Sequence, residues 1–162
     1  MRNLKESDWE MISYLRTDEL VNKFVDRPPA KTKEEALAFI NRINLLNQNQ
    51  ESYYWTITLR GLDQMIGSIG LWHFSDNQKT AEIGYDLSPE FQGKGIMDEA
   101  LKNILKFGFK KLNLDLIEAY THYQNESSKN LLERNHFKLV AGKTDEDNPN
   151  NIIYEIKKNE SF

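Results

Sequence analysis

Gly93 and Gly95 stand one residue apart between a stretch with strand character and one with helical periodicity. Upstream, residues 80–87 (TAEIGYDL) alternate small or apolar side chains with polar ones. Downstream, Ile96, Ala100, Ile104, Leu105 and Phe107 form a helical stripe that Leu112 extends. Strand, glycine-rich turn and helix, in that order, make an anion site. Glycine lets the backbone approach a ligand, and a helix N-terminus presents unpaired N–H groups and the positive end of its dipole. Phosphate or pyrophosphate is the natural guest. Two familiar phosphate loops fit poorly. Gly93-Lys94-Gly95-Ile96 lacks the hydroxyl that a Walker loop places on magnesium. Asp98 holds the position of the third glycine in a dinucleotide fingerprint, where an inward carboxylate repels phosphate.

A third pattern fits better. Residues 88–101 (SPEFQGKGIMDEAL) resemble the acetyl-coenzyme A loop of the GNAT N-acetyltransferase superfamily, Gln/Arg-x-x-Gly-x-Gly/Ala. Gly93 and Gly95 match it, and Glu90 departs from its first position. Gln92 and the strand Ala81-Glu82-Ile83-Gly84-Tyr85 resemble the branch that acetylates ribosomal-protein N-termini and related amines. A second stretch, residues 125–137 (NESSKNLLERNHF), is similar to the family's Asn-x-x-Ser/Ala-x-x-Leu-x-x-x-x-Gly-Phe at Asn125, Ser128, Leu131 and Phe137. His136 replaces the glycine that ends the helix left-handed, a conformation costing a non-glycine residue roughly 1 kcal/mol. Histidine is among the more tolerant substitutes. Leu132 stands where some members carry a tyrosine as general acid.

The resemblance implies that the strand ending at Leu87 and the one starting at Leu116 splay apart around coenzyme A. The backbone of Tyr85, Asp86 and Leu87 then bonds the pantetheine as an added strand would. The N–H groups of Gln92, Gly93, Lys94, Gly95, Ile96 and Met97 hold the pyrophosphate, Asn125 contacts the pantetheine, and Ser128 sets its hydroxyl near the thioester sulfur. An amine attacks the acetyl carbonyl directly. A base takes the ammonium proton, and an acid supplies one to the departing thiolate. Ser128 is the candidate acid. Glu82, beside the gap, is the candidate base, acting directly or through water, since partial burial raises a carboxylate's pKa. Glu118 and His122 on the other strand are lesser candidates. Plainer roles stand beside these: turn glycines, an N-capping Asn125, a first-turn serine, a salt-bridged Glu82. The three histidines at 73, 122 and 136 do not have metal-site spacing, so no metal is expected.

The elements that must position these residues follow from the same periodicities. Ser7 or Asp8 caps a first helix carrying Trp9 and Ile12, and Leu20, Val21, Phe24 and Val25 suggest another turn or two. Arg27-Pro28-Pro29 breaks it. Thr32 and Glu35 form a capping box for a helix with Ala36, Ile40 and Ile43 inside. Strands over residues 53–60, 64–74 and 79–87 make an antiparallel meander with short turns. Strands follow over 116–123, 137–142 and 152–156, with a helix from Asn125 between the first two. The step from residue 87 through the helix to residue 116 is a crossover, so those strands run parallel. The expected fold is α/β, one GNAT domain over residues 1–162.

Composition bounds the rest. The chain has 162 residues, 39% hydrophobic and 28% charged, a length and balance suited to one packed domain. A net charge of −4 argues against nucleic acid as a partner. There is no cysteine, which excludes disulfides and thiolate chemistry. No apolar run approaches a membrane span and no signal sequence opens the chain, so a cytoplasmic site is expected. The expected activity is acetyl-CoA-dependent transfer to a primary amine, a protein N-terminus of the ribosomal type. A small-molecule amine acceptor (polyamine, antibiotic or amino acid) and a non-catalytic coenzyme A-binding module are the alternatives. A homodimer is left open.

Overall fold

The computed structural model of the chain describes residues 1–160. A six-stranded sheet, ordered β1-β2-β3-β4-β6-β5, carries helices on both faces. Its strands are β1 (Tyr53–Thr58), β2 (Met65–Trp72), β3 (Thr80–Leu87), β4 (Leu116–His122), β5 (Lys138–Leu139) and β6 (Asn151–Lys157). Helices α1 (Trp9–Thr17) and α2 (Lys33–Gln48) precede the sheet, α3 (Ile96–Lys110) makes the β3-to-β4 crossover, and α4 (Glu126–Arg134) follows β4. Among the described residues only the β3–β4 pair is parallel, and β1–β2–β3 is the expected meander.

Each helix forms for a local reason. Thr32 accepts from Glu35 N–H while Glu35 reaches back to the Thr32 backbone, the reciprocal cap predicted for α2. Asn125 accepts from Ser128 N–H at 3.1 Å and starts α4. Helix α3 buries Ala100, Leu101, Ile104, Leu105 and Phe109 against one face of the sheet. Fully burying a leucine or isoleucine contributes roughly 1.5–3 kcal/mol, so this stripe anchors α3 and the loop ahead of it. The other face packs Tyr54 and Met65 on Ile12, Leu15, Ala36 and Ile40 of α1 and α2. With helices on both sides, β2 is buried along nearly its whole length.

Two expectations shift. Residues 19–24 form turns rather than more helix. Asp18 leaves the helical conformation at ψ 129° and starts a single capped turn: its Oδ1 accepts from the N–H groups of Leu20 and Val21 at 3.0 and 2.9 Å and its C=O from Asn22 N–H at 3.0 Å, after which Val25 N–H turns back to Asn22 C=O. The strand expected over 137–142 shrinks to Lys138–Leu139, paired only with β6. Both lie at the edge of the central frame and leave its strand order unchanged.

Candidate active site

The site opens where β3 and β4 part. Their register runs Thr80↔Leu116, Ala81↔Ile117, Glu82↔Glu118 and Ile83↔Ala119, and then stops. Each arm continues on its outer neighbour, β3 with β2 as far as Gly67↔Leu87 and β4 with β6 as far as His122↔Asn151. Residues 84–87 therefore face a gap with no strand across from them. A cleft of about 2360 Å³ runs through that gap and reaches both faces of the sheet.

On the α3 side the cleft meets the glycine turn. Gly93 and Gly95 have φ of +71° and +77°, the left-handed region that disfavours side chains. Gly95 is the residue before the first turn of α3. Among the described residues, the N–H groups of residues 93–98 have no acceptor within the protein. Six consecutive free donors at the head of a 15-residue helix suit a pyrophosphate. Gln92 differs from the rest of the turn. Its N–H is bonded to Pro89 C=O at 3.1 Å and its side chain donates to Leu87 C=O at 2.9 Å, so it ties the turn to β3. Glu90 is exposed in the short 3-10 turn Pro89–Phe91. The Asp98 carboxylate is turned aside to Lys102 Nζ at 2.7 Å and Asn135 Nδ2 at 2.8 Å. Those contacts hold its pKa below the ordinary value, the Lys102 bond first and the Asn135 bond second.

Strand alternation divides the remaining groups. Tyr85 faces α4, and its hydroxyl lies 2.8 Å from Ser128 Oγ. Burial pushes the Tyr85 phenol up to about 12, so it stays protonated at neutral pH. Alternation alone did not bring the Tyr85 hydroxyl to Ser128; the expected contact of Tyr85 was through its backbone. Asn125 lines the same part of the cleft beside its cap bond. His136 sits at φ +67°, the left-handed helix end expected of it.

Glu82, Gly84 and Asp86 face α1 and α2. Trp72 packs on Gly84, where a Cβ atom would come within 2.3 Å of the indole. Glu82 Oε2 lies 2.7 Å from His73 Nδ1, and His73 is open to solvent. Glu118, in register beside Glu82, is ion-paired with Lys143 and accepts from Tyr120 at 3.4 Å. His122 takes Gln124 N–H on Nδ1 at 3.1 Å, and its ring packs on Phe24 at 5.1 Å. Asp86 accepts from Ser68 at 2.5 Å and from Arg27 at 2.8 Å. Its side chain is therefore committed to Arg27 and Ser68 on the α1 and α2 side, whereas only its backbone was expected to serve. No group of three or more metal-ligating side chains occurs among the described residues. No helix among them is long and apolar enough to cross a membrane.

Known proteins share this arrangement. The profile of the acetyltransferase (GNAT) domain matches residues 1–138. An uncharacterized N-acetyltransferase, p20 of Bacillus licheniformis, is 30% identical over 132 residues, covering 82% of this chain and 74% of that one. The ribosomal-protein-S5-alanine acetyltransferase of Vibrio fischeri superposes with a TM-score of 0.83 at 22% identity, covering 99% of this chain and 93% of that one. A ribosomal L7/L12 alpha-N-protein acetyltransferase solved with coenzyme A superposes with a TM-score of 0.82 at 21% identity, covering 96% and 92%. At those identities the superpositions speak for the fold, while the profile and the Bacillus relative speak for the family. With its parted strands and glycine turn accounted for, the chain belongs to the GNAT family and is an N-acetyltransferase of that family.

Proposed function

We propose that residues 1–162 form one domain that transfers the acetyl group of acetyl-CoA to the primary amine of a protein N-terminus. The observation that carries the donor half is the run of six free N–H groups over residues 93–98, opening on the gap between β3 and β4. The cleft that would hold the coenzyme continues to the α1 and α2 face of the sheet, where an acceptor can enter beside it. The ribosomal acceptors named for the superposed proteins point the same way.

In this proposal acetyl-CoA supplies a thioester carbonyl at the vertex of the parted strands. Backbone groups of Tyr85, Asp86 and Leu87 hold its pantetheine arm with Asn125, while Gly93, Lys94, Gly95, Ile96 and Met97 hold the pyrophosphate and Gln92 fixes their turn. The acceptor nitrogen bonds to the carbonyl carbon as the C–S bond breaks. Glu82 takes the ammonium proton, directly or through water, and His73 at 2.7 Å passes it to solvent. Glu118 is a weaker base because Lys143 occupies its carboxylate. Ser128 protonates the leaving thiolate and recovers its proton from Tyr85; the nitrogen's second proton follows the first out through Glu82, and solvent returns one to Tyr85, so each turnover releases one proton.

Thermal melting with acetyl-CoA, against ATP and NAD as controls, tests the donor. A ligand at 100 times its Kd adds about 2.7 kcal/mol, a rise of roughly 5 °C or more. A rise with acetyl-CoA alone, followed by turnover on N-terminal peptides, supports the proposal. Stabilisation without turnover on any amine indicates a coenzyme A-binding module. Turnover confined to polyamines or other small amines indicates the small-molecule acceptor.

A further inference from the structure

The wall of the cleft formed by α1, α2 and the loop between them carries three arginines, Arg16, Arg27 and Arg42, with Asp26 beside them. Arg16 of α1 lies over the Phe39 ring, its guanidinium carbon 4.3 Å from the ring centre, and Arg42 of α2 lies 5.3 Å from the same centre. Arg27, in the loop, bonds Asn22 at 2.8 Å, Leu15 C=O at 2.7 Å and Asp86 at 2.8 Å. All three arginines line the cleft that also holds Glu82. Asp86 is ion-paired with Arg27 alone. Among the described residues, Arg16 and Arg42 have no carboxylate within ion-pair distance. Arg16 reaches only the Pro28 carbonyl, at 2.6 Å. Burial, and then the neighbouring charge of Arg27, depress the Arg16 guanidinium. Such a cation is short of counter-charge, and it stays charged nonetheless.

The opposite wall is acidic. Glu82 and Glu118 sit in register beside the vertex, and Asp145, Glu146 and Asp147 line the same cleft. One wall suits an ammonium and the other suits an anion.

We propose that Arg16, Arg27 and Arg42 form a receptor for an anionic group of the acceptor, set back from the reacting amine along β3. This rests on the amine acetylation proposed above and narrows its acceptor to molecules carrying both charges. The spacing follows from the strand. Glu82 and Asp86 share a face four residues apart, about 13 Å at a strand's rise. The acceptor therefore holds its carboxylate or phosphate roughly 10–13 Å from its amine. In an extended peptide this is an acidic side chain at the third or fourth residue, and an ω-amino acid of equal length presents the same two groups.

The test uses pentapeptide amides in twin pairs, identical except for Asp or Asn at one position, with that position moved stepwise from second to fifth. ω-Amino acids of graded length and their amides form a second arm. Acetylation rates, and melting shifts without acetyl-CoA, are read on the wild type, R16Q, R42Q and K110Q, the last removing one exposed charge on α3. Wild type should favour the Asp twin about tenfold or more in kcat/KM, most strongly at the third or fourth position. That ratio should fall to about twofold or less in R16Q, fall partway in R42Q, and hold in K110Q. A preference peaking among the ω-amino acids assigns the receptor to a small molecule. Equal handling of the twins by wild type, or an equal loss for both in R16Q, overturns the inference while leaving acetyl transfer intact. Selective stabilisation by the Asp twin with no turnover on any acceptor supports the receptor and counts against the proposed reaction.

Discussion

Asn135 donates its side-chain amide to Asp98 at 2.8 Å, joining the end of α4 to the first turn of α3. The same amide donates to Leu131 C=O at 2.9 Å, and Asn135 is fully buried. One contact thus couples the helix that follows the glycine turn to the helix that carries Ser128.

Asp98 makes this coupling pH-dependent. Its folded pKa lies below the ordinary 3.8, so its contribution is complete above that value and is lost as pH falls through the folded pKa. The gap in Tm between the wild type and Asp98→Asn should be constant above about pH 5 and shrink below pH 4. A constant gap down to pH 3 would dissociate Asp98 from the acid limb.

Removing either hydroxyl of the Tyr85–Ser128 pair should lower kcat with little effect on the KM for acetyl-CoA. Ser128→Ala should cost about 100-fold and Tyr85→Phe about tenfold, within the range of a lost general acid. Because the Tyr85 phenol is raised to about 12, its proton is present throughout the working range. The pH profile of the wild type should therefore show no fall up to pH 10 that Tyr85→Phe abolishes. Loss of activity wholly in KM would reassign the pair to cofactor packing.

Glu82→Gln should reduce kcat/KM about 100-fold at pH 7. The deficit should narrow as pH rises toward the pKa of the acceptor ammonium, because the amine then arrives deprotonated. A deficit that stays the same at pH 9.5 would mean that Glu82 serves structure or binding.

Gly95→Ala tests the turn itself. No atom lies within 4 Å of the added methyl, so the whole cost is that of the left-handed backbone at φ +77°, roughly 1–2 kcal/mol. Melting should drop by a few degrees, and the acetyl-CoA-dependent rise should drop further. Unchanged coenzyme stabilisation would separate the turn from the pyrophosphate.

The frame was legible because its signals are local. The reciprocal cap at Thr32 and Glu35, the stripe of α3 and the two turn glycines each depend on residues a few positions apart. So did the left-handed position of His136. The contacts that were not legible join distant parts of the chain. Tyr85 meets Ser128 43 residues on, and Arg27 meets Asp86 59 residues on. Alternation names a side chain's face of the sheet, not the helix or loop laid over it. Residues 19–24 misled for another reason: their apolar spacing suits a helix, but Asp18 leaves the helical conformation at ψ 129° and its side chain caps only a single turn.

The loop between α1 and α2 touches both arms of the parted sheet, Arg27 on Asp86 of β3 and Phe24 on His122 of β4. It acts as a strut across the mouth of the V. The separation of the arms is thereby set before any ligand arrives, and little ordering is left for the binding step to impose. The two halves of the reaction also share this strut. A substitution at Phe24 or Arg27 should therefore alter the spacing of the two arms, and with it the grip on the coenzyme proposed to lie between them.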